Sequence, residues 1–389
     1  RDVRRTSPLR KVSLRRLERQ LQLRRGQRLG PDESMQALAG LTRVKFVFVY
    51  PETGDVVLAG PAGDWKRDGE ERLVSVESGA PLLLLDDFVV LLRNALHENG
   101  RFGCSITPTR EGLAATRRFL EQSGQRALRP SQREDWLEDL RSTLGQQDID
   151  VYGVDPRSRV ARVLVEADYR MKLVGMGLEP GVLGVVSYLD SLPADKPPAS
   201  MDVLRWWFTL NYEAVLTTES RTAFQLRGPG VKVLSENELL TEQGERRHTG
   251  KSDALNQQFA HSFTRNFERL AATYPIYAEL RNVFDLAVVA GIVGGADVRE
   301  ELRWPLAHFD APEAYVVPLE TAPQRVESVV NHRVIDRRHI VAGVSGGVAV
   351  DTRPLVARQA MQVDDYGLLK TEHRGARPEE SGESTWWWD

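Results

Sequence analysis

Cysteine is nearly missing from this sequence: Cys104 stands alone among 389 residues. A single thiol excludes an internal disulfide and a cysteine-based zinc site, and within the apolar run FGCSITPT it reads as a small buried hydrophobe. Long apolar runs are missing too. The longest, 286–293, falls far short of the ~20 residues that a membrane-spanning helix needs. Histidine is sparse and scattered (His97, His248, His261, His308, His332, His339 and His373), with no i, i+4 pair around a glutamate and no carboxylate cluster at ligand spacing. No metal and no cofactor is therefore expected. No internal repeat is found.

What is present is an ordinary globular composition, 41% hydrophobic and 28% charged, in a chain long enough for two or three structural units. The formal charge of −3 conceals an asymmetry: the first thirty residues hold eleven basic residues against Asp2 and Glu18. That leaves a basic head on an acidic body, an arrangement suited to docking on an acidic surface. Leu14, Leu17 and Leu21 form a narrow apolar stripe between Arg15, Arg16, Arg19 and Arg24, so the head reads as an amphipathic basic arm over 1–34. The chain opens on Arg1 and not on Met, which raises the expectation of an upstream segment removed as a secretory signal.

Strand and helix alternate over 41–180, which predicts a mixed α/β (α+β) fold for a first domain, 35–190. RVKFVFVY and DVVLAG, joined by the turn PETG at 51–54, predict a hairpin. A helix over 86–95, a strand over 102–107, a helix opened by Thr109, a helix through Trp136 and Leu140, and a strand over 149–154 follow. SLPADKPPAS at 191–200 reads as a linker, which makes the chain two-lobed. The second domain, 201–352, is predicted to hold strands around RWWFTLNYE, a hairpin turning at GPG, two helices of which the second is apolar nearly all round, and terminal strands. Residues 353–389 read as an extended acidic tail ending in Trp386, Trp387 and Trp388.

The segment 160–180 carries the most pattern. Val160, Val163, Leu164, Ala167, Met171 and Val174 repeat at helical steps, and Asp168, Tyr169, Arg170 and Lys172 stand against that face as a candidate polar site. The bland alternative is a solvated face laced with i, i+4 ion pairs, each worth only ~0.3–0.5 kcal/mol. Asp285 in the apolar helix is expected to pair with Arg281 one turn earlier.

GVSGG at 343–347 satisfies the G-x-S-x-G pattern, but a nucleophile elbow needs a helix after Ser345, and VAVDTRPL is strand-like; a glycine-rich β segment is the better reading. Gly250-Lys251-Ser252 has the wrong spacing for a phosphate loop, and Ser252 is expected to cap the next helix. Arg205, Trp206 and Trp207, with one of the two rings expected buried and the other exposed, and the three terminal tryptophans read as anchors at an interface.

MQALAGLTRVKFVFVYPETGDVVLAGPAGDW, the CSITPT run with its following EGL, ARVLVEADYRMK, RWWFTLNYE and LRNVFDLAVVA together resemble one family. It is a set of planctomycete-type bacterial proteins catalogued as domain of unknown function 1598. The resemblance spans roughly residues 35–350, with SGGVAVD as the closing strand. It implies an exported protein and assigns no catalytic residue and no cofactor; Ser345 and Lys251 are not marked.

The expectation is therefore a non-catalytic structural or assembly protein. It would be a subunit of a homo-oligomer or of a larger extracytoplasmic complex (periplasmic, secreted or at the cell surface), with its two arms docking on protein neighbours. A hydrolase with a polar site at 168–172 or Ser345, and a peripheral membrane protein, are the alternatives. Nucleic acid is not an expected partner, because the body is acidic and carries no recognisable binding fold.

Overall fold

The computed structural model describes residues 2–123, 129–194, 201–241, 243–335, 338–378 and 385–389. It is a mixed α/β fold built on two large sheets that share one core. The first has the order Gln362–Val363, Ala214–Thr217, Ala223–Arg227, Phe46–Tyr50, Asp55–Ala62, Ser7–Ser13, Trp387–Trp388. The second runs Arg246–His248, Gly230–Leu240, Met201–Asn211, Arg338–Asp351, Arg101–Pro108, Gln146–Tyr152, Arg325–Glu327, with Val330–Ile335 also paired to Arg338–Asp351. Helices Leu85–His97, Arg159–Gly175 and Pro275–Val293 pack among themselves in the common core. Pro275–Val293 is buried on nearly every side, as its uniform hydrophobicity requires.

Many local elements match the sequence pattern. Phe46–Tyr50 and Asp55–Ala62 form the expected antiparallel hairpin. Thr109 Oγ1 accepts the Gly112 N–H at 3.1 Å and starts helix Arg110–Ser123. Other expectations need correction. The two-lobed division is not seen in the sheet order: each sheet holds strands from both sides of 191–200, with Ala223–Arg227 paired to Phe46–Tyr50 in the first and Arg338–Asp351 paired to Arg101–Pro108 in the second. Residues 195–200 of the expected linker lie outside the described residues. The GPG turn does not close a hairpin, because Ala223–Arg227 belongs to the first sheet and Gly230–Leu240 to the second. Gly228 at φ +121 and Gly230 at φ +88 let the chain swerve between sheets there. The first of the two expected helices breaks at Asn266 into Ala254–Arg265 and Phe267–Thr273, and its cap is Asp253, whose side chain accepts the Asn256 N–H, not Ser252.

The termini differ most from expectation. The head begins with a strand, Ser7–Ser13, before helix Leu14–Gly26, and that strand pairs with Asp55–Ala62 on one side and Trp387–Trp388 on the other. Arg10 is completely buried; it donates to the carbonyls of Val3, Arg5 and Ala39 and to Asp389, and it stacks on the Trp387 ring. Ser13 donates its N–H to the Trp386 carbonyl at 2.8 Å. The supposed arms thus clasp each other on their own body. Residues 379–384 of the tail lie outside the described residues, but helix Leu368–Gly375 covers the outer face of the first sheet, where His373 stacks on Tyr50 with 4.4 Å between ring centres.

Candidate binding cleft

Ser158 opens helix Arg159–Gly175: its side chain accepts the Ala161 N–H at 3.2 Å. From there the helix turns its residues in three directions, which divides the four expected polar residues. Asp168 and Lys172 point at the second sheet and are both 0% exposed, with Lys172 Nζ 2.7 Å from Asp168 Oδ2. The ammonium also donates to the Ile106 carbonyl at 3.1 Å and to Gln147 Oε1 at 3.3 Å, while Gln147 donates to the Val344 carbonyl. Burial drives both groups toward neutrality, raising Asp168 and lowering Lys172, and each charge opposes that shift in the other. Arg170 turns outward to Glu179 and lies over the Tyr274 ring. Tyr169 faces a cleft at the sheet's edge.

The glycines of GVSGG account for this buried pair. A side chain on Gly346 would come within 2.0 Å of the Trp206 carbonyl and 2.8 Å of Asp168 Oδ1, so a bare strand must pass there. Ser345 lies on the opposite face at 1% exposure and donates to Glu238 Oε2 at 3.2 Å and to the Leu204 carbonyl at 3.4 Å. Glu238 in turn holds Arg246 at 2.8 Å. No histidine receives the serine's proton among the described residues, and strand continues on both sides of it, so the elbow geometry is absent. Cys104 packs beside the pair, and burial pushes its thiol well up.

The expected interface anchors mostly turn inward, and the Trp206–Trp207 pair divides into one buried and one partly exposed ring. Trp206 is fully buried, donates to Asn256 Oδ1 at 2.6 Å and packs on Phe259. Trp207 is the half-exposed one, with Arg205 stacked 4.3 Å above it and bonded to Glu236. Trp386 and Trp387 are buried in the terminal clasp, and Trp388 is half-buried against the outer face of the first sheet. Arg15 donates to the Thr53 and Gly54 carbonyls, Arg16 lies 3.8 Å from Asp55, and Arg24 holds the Gly30 carbonyl. Arg19, with Arg15 and Arg16, lines a hollow of about 600 Å³ beside Trp304 and Arg377. Asp285 pairs with Arg43 at 2.6 Å and accepts from Tyr212 at 2.6 Å, whereas Arg281 is taken by Glu268.

The cleft at Tyr169 encloses about 910 Å³ and was not foreseen. Its floor is the helix face of Ala161, Arg162, Val165, Glu166 and Tyr169; its walls are the strand edge at 148–151 and the segment 320–326. Strand Arg325–Glu327 pairs with Gln146–Tyr152 over only three residues. Beyond Gln324 the segment veers off until the Glu320 N–H is donated to the Arg157 carbonyl at 2.8 Å. Ile149 gives its N–H to the Gln324 carbonyl at 2.9 Å, so the two-residue period points the N–H and C=O of Val151 to the same side. There they meet the cleft, with no hydrogen-bond partner among the described residues. Four carboxylates and three guanidiniums line the space. Arg325 is held by Asp148, Arg157 by Asp155, and Arg162 is shared by Glu166 and Glu320. Asp150 is left without an ion pair among the described residues, and burial pushes Glu166 up.

Among the described residues no group of three or more His, Cys, Asp or Glu side chains could hold a metal, and no helix is long and apolar enough to cross a membrane. Residues 104–188 match the family described as "Protein of unknown function (DUF1598)". The matched segment holds Cys104, the Asp168–Lys172 pair, the strand edge at Val151 and the whole helical floor of the cleft. No curated protein and no solved structure matches the chain.

Proposed function

We propose that this protein, whose residues 104–188 match the DUF1598 family, is a non-catalytic assembly protein: a subunit of a homo-oligomer or of a larger complex outside the cytoplasm. The observation that carries the reading is the fate of its reactive groups. Asp168 and Lys172, the most distinctive polar pair of the matched segment, are sealed from water and spent on each other. Ser345 and Cys104 are equally closed off. A nucleophile or general base must reach its substrate within hydrogen-bond distance, which these four groups do not. The extracytoplasmic placement is supported by the family resemblance alone. Docking is reassigned from the termini, which are consumed internally, to the remaining surface.

The non-catalytic half of the proposal is tested with Ser345→Ala. Wild type and variant, incubated with activated acetyl and butyryl esters, are expected to show the same background hydrolysis. Turnover by the wild type that vanishes in the variant, with an unchanged melting temperature, would overturn the proposal in favour of the hydrolase.

A further inference from the structure

We propose that the cleft beside Val151 takes an extended peptide from a partner protein, added as a further strand to the second sheet, with apolar and basic residues in alternation. The inference goes beyond the assembly reading and does not depend on it.

Three features of the site carry it. The first is the unpaired edge. Val151 offers an N–H and a C=O to the cleft at the point where strand Arg325–Glu327 has ended, and an added strand satisfies such groups with two main-chain hydrogen bonds. Sheet edges of this kind are normally covered or blocked by charge; here the far wall bows away and leaves room.

The second feature is the alternation of the edge. Ile149 and Val151 sit in register with Ile106 and Cys104, so their side chains lie on the helix side of the sheet. Asp148 and Asp150 lie on the opposite face. An incoming strand inherits this alternation. Residues on its helix side meet Ala161, Val165 and Tyr169, an apolar floor. Residues on its other side come out next to Asp150.

The third feature is charge. Every guanidinium in the cleft already has a carboxylate, Glu166 and Glu320 share one between them, and Asp150 has none among the described residues. A lysine or arginine of the peptide beside Asp150 completes the pairing; an acidic residue there meets like charge.

The test uses the full chain and four blocked, fluorescein-labelled peptides in an anisotropy titration. They are Val-Lys-Val-Arg-Val, Val-Glu-Val-Glu-Val, and the first peptide methylated on alternate backbone nitrogens, made in both phases. The basic peptide is expected to bind at least about tenfold tighter than the acidic one, a difference of about 1.4 kcal/mol. One methylation phase is expected to lose about tenfold, since it removes the N–H facing the strand edge, while the other binds as before. Asp150→Lys, at an exposed position, is expected to keep the melting temperature and reverse the order of the basic and acidic peptides. No binding by any peptide, equal binding by both methylated forms, or an order that survives Asp150→Lys would each overturn the inference. None of these outcomes bears on Ser345 or on the native mass, so a failure here is separable from a failure of the assembly reading.

Discussion

Lys172 and Asp168 meet where water does not reach, so removing one strands the other's charge. Lys172→Met is expected to cost about 3–5 kcal/mol in urea unfolding, because the Asp168 carboxylate is left buried and uncompensated. Adding Asp168→Leu should restore most of that loss, which a double-mutant comparison of urea midpoints would reveal. A second residue sets a pH dependence. Asp87 is buried beside Arg159, and burial lifts its carboxyl to about 6, above the ordinary value near 3.9. Between those two values the folded chain holds a proton that the unfolded chain has released, so stability falls as pH rises through that window. Asp87→Asn is expected to flatten that part of the stability-against-pH curve; an unchanged slope would show that the fall originates elsewhere. At this scale the sequence was half legible. The helical spacing of 168–172 was visible, but which of four polar residues faces inward depends on a glycine strand some 175 residues away, and only the fold brings them together.

Elements were legible where their pattern is local. The hairpin around PETG, the helix capped at Thr109 and the uniformly apolar helix were all readable, because turn chemistry, capping and periodicity act within a few residues. The GPG segment misled because a turn signal says that the chain bends, not which sheet the next strand joins. The tryptophan tail misled for a related reason: exposed aromatics beside a polar stretch look like anchors for a partner, and here the partner is the chain's own head strand. That clasp gives an element-scale prediction. Trp387→Ala should lower stability by about 3–5 kcal/mol, as large buried aromatics do, and should speed amide exchange in Ser7–Ser13 selectively. Slow exchange retained in the head strand would mean that the tail contributes nothing to holding it.

At the scale of the whole molecule, two sheets woven from both halves of the chain share one core, so neither half is a free-standing lobe. Long-range pairing such as Arg101–Pro108 beside Arg338–Asp351 leaves no local mark in the sequence, which is why the linker-like composition at 191–200 pointed to a boundary. The same topology explains the cleft: a strand that pairs for three residues and then departs leaves an edge that no motif announces. It also changes how assembly should be probed. Deleting the head or the tail would remove sheet strands along with any docking function, so the informative protein is the intact chain.

A chain built to associate shows it in its native mass, measured on the intact protein at micromolar concentration by light scattering after size exclusion. A particle of at least two times 43.8 kDa, at a whole multiple of that mass, is expected. A particle of 43.8 kDa that stays unchanged on concentration would contradict self-assembly.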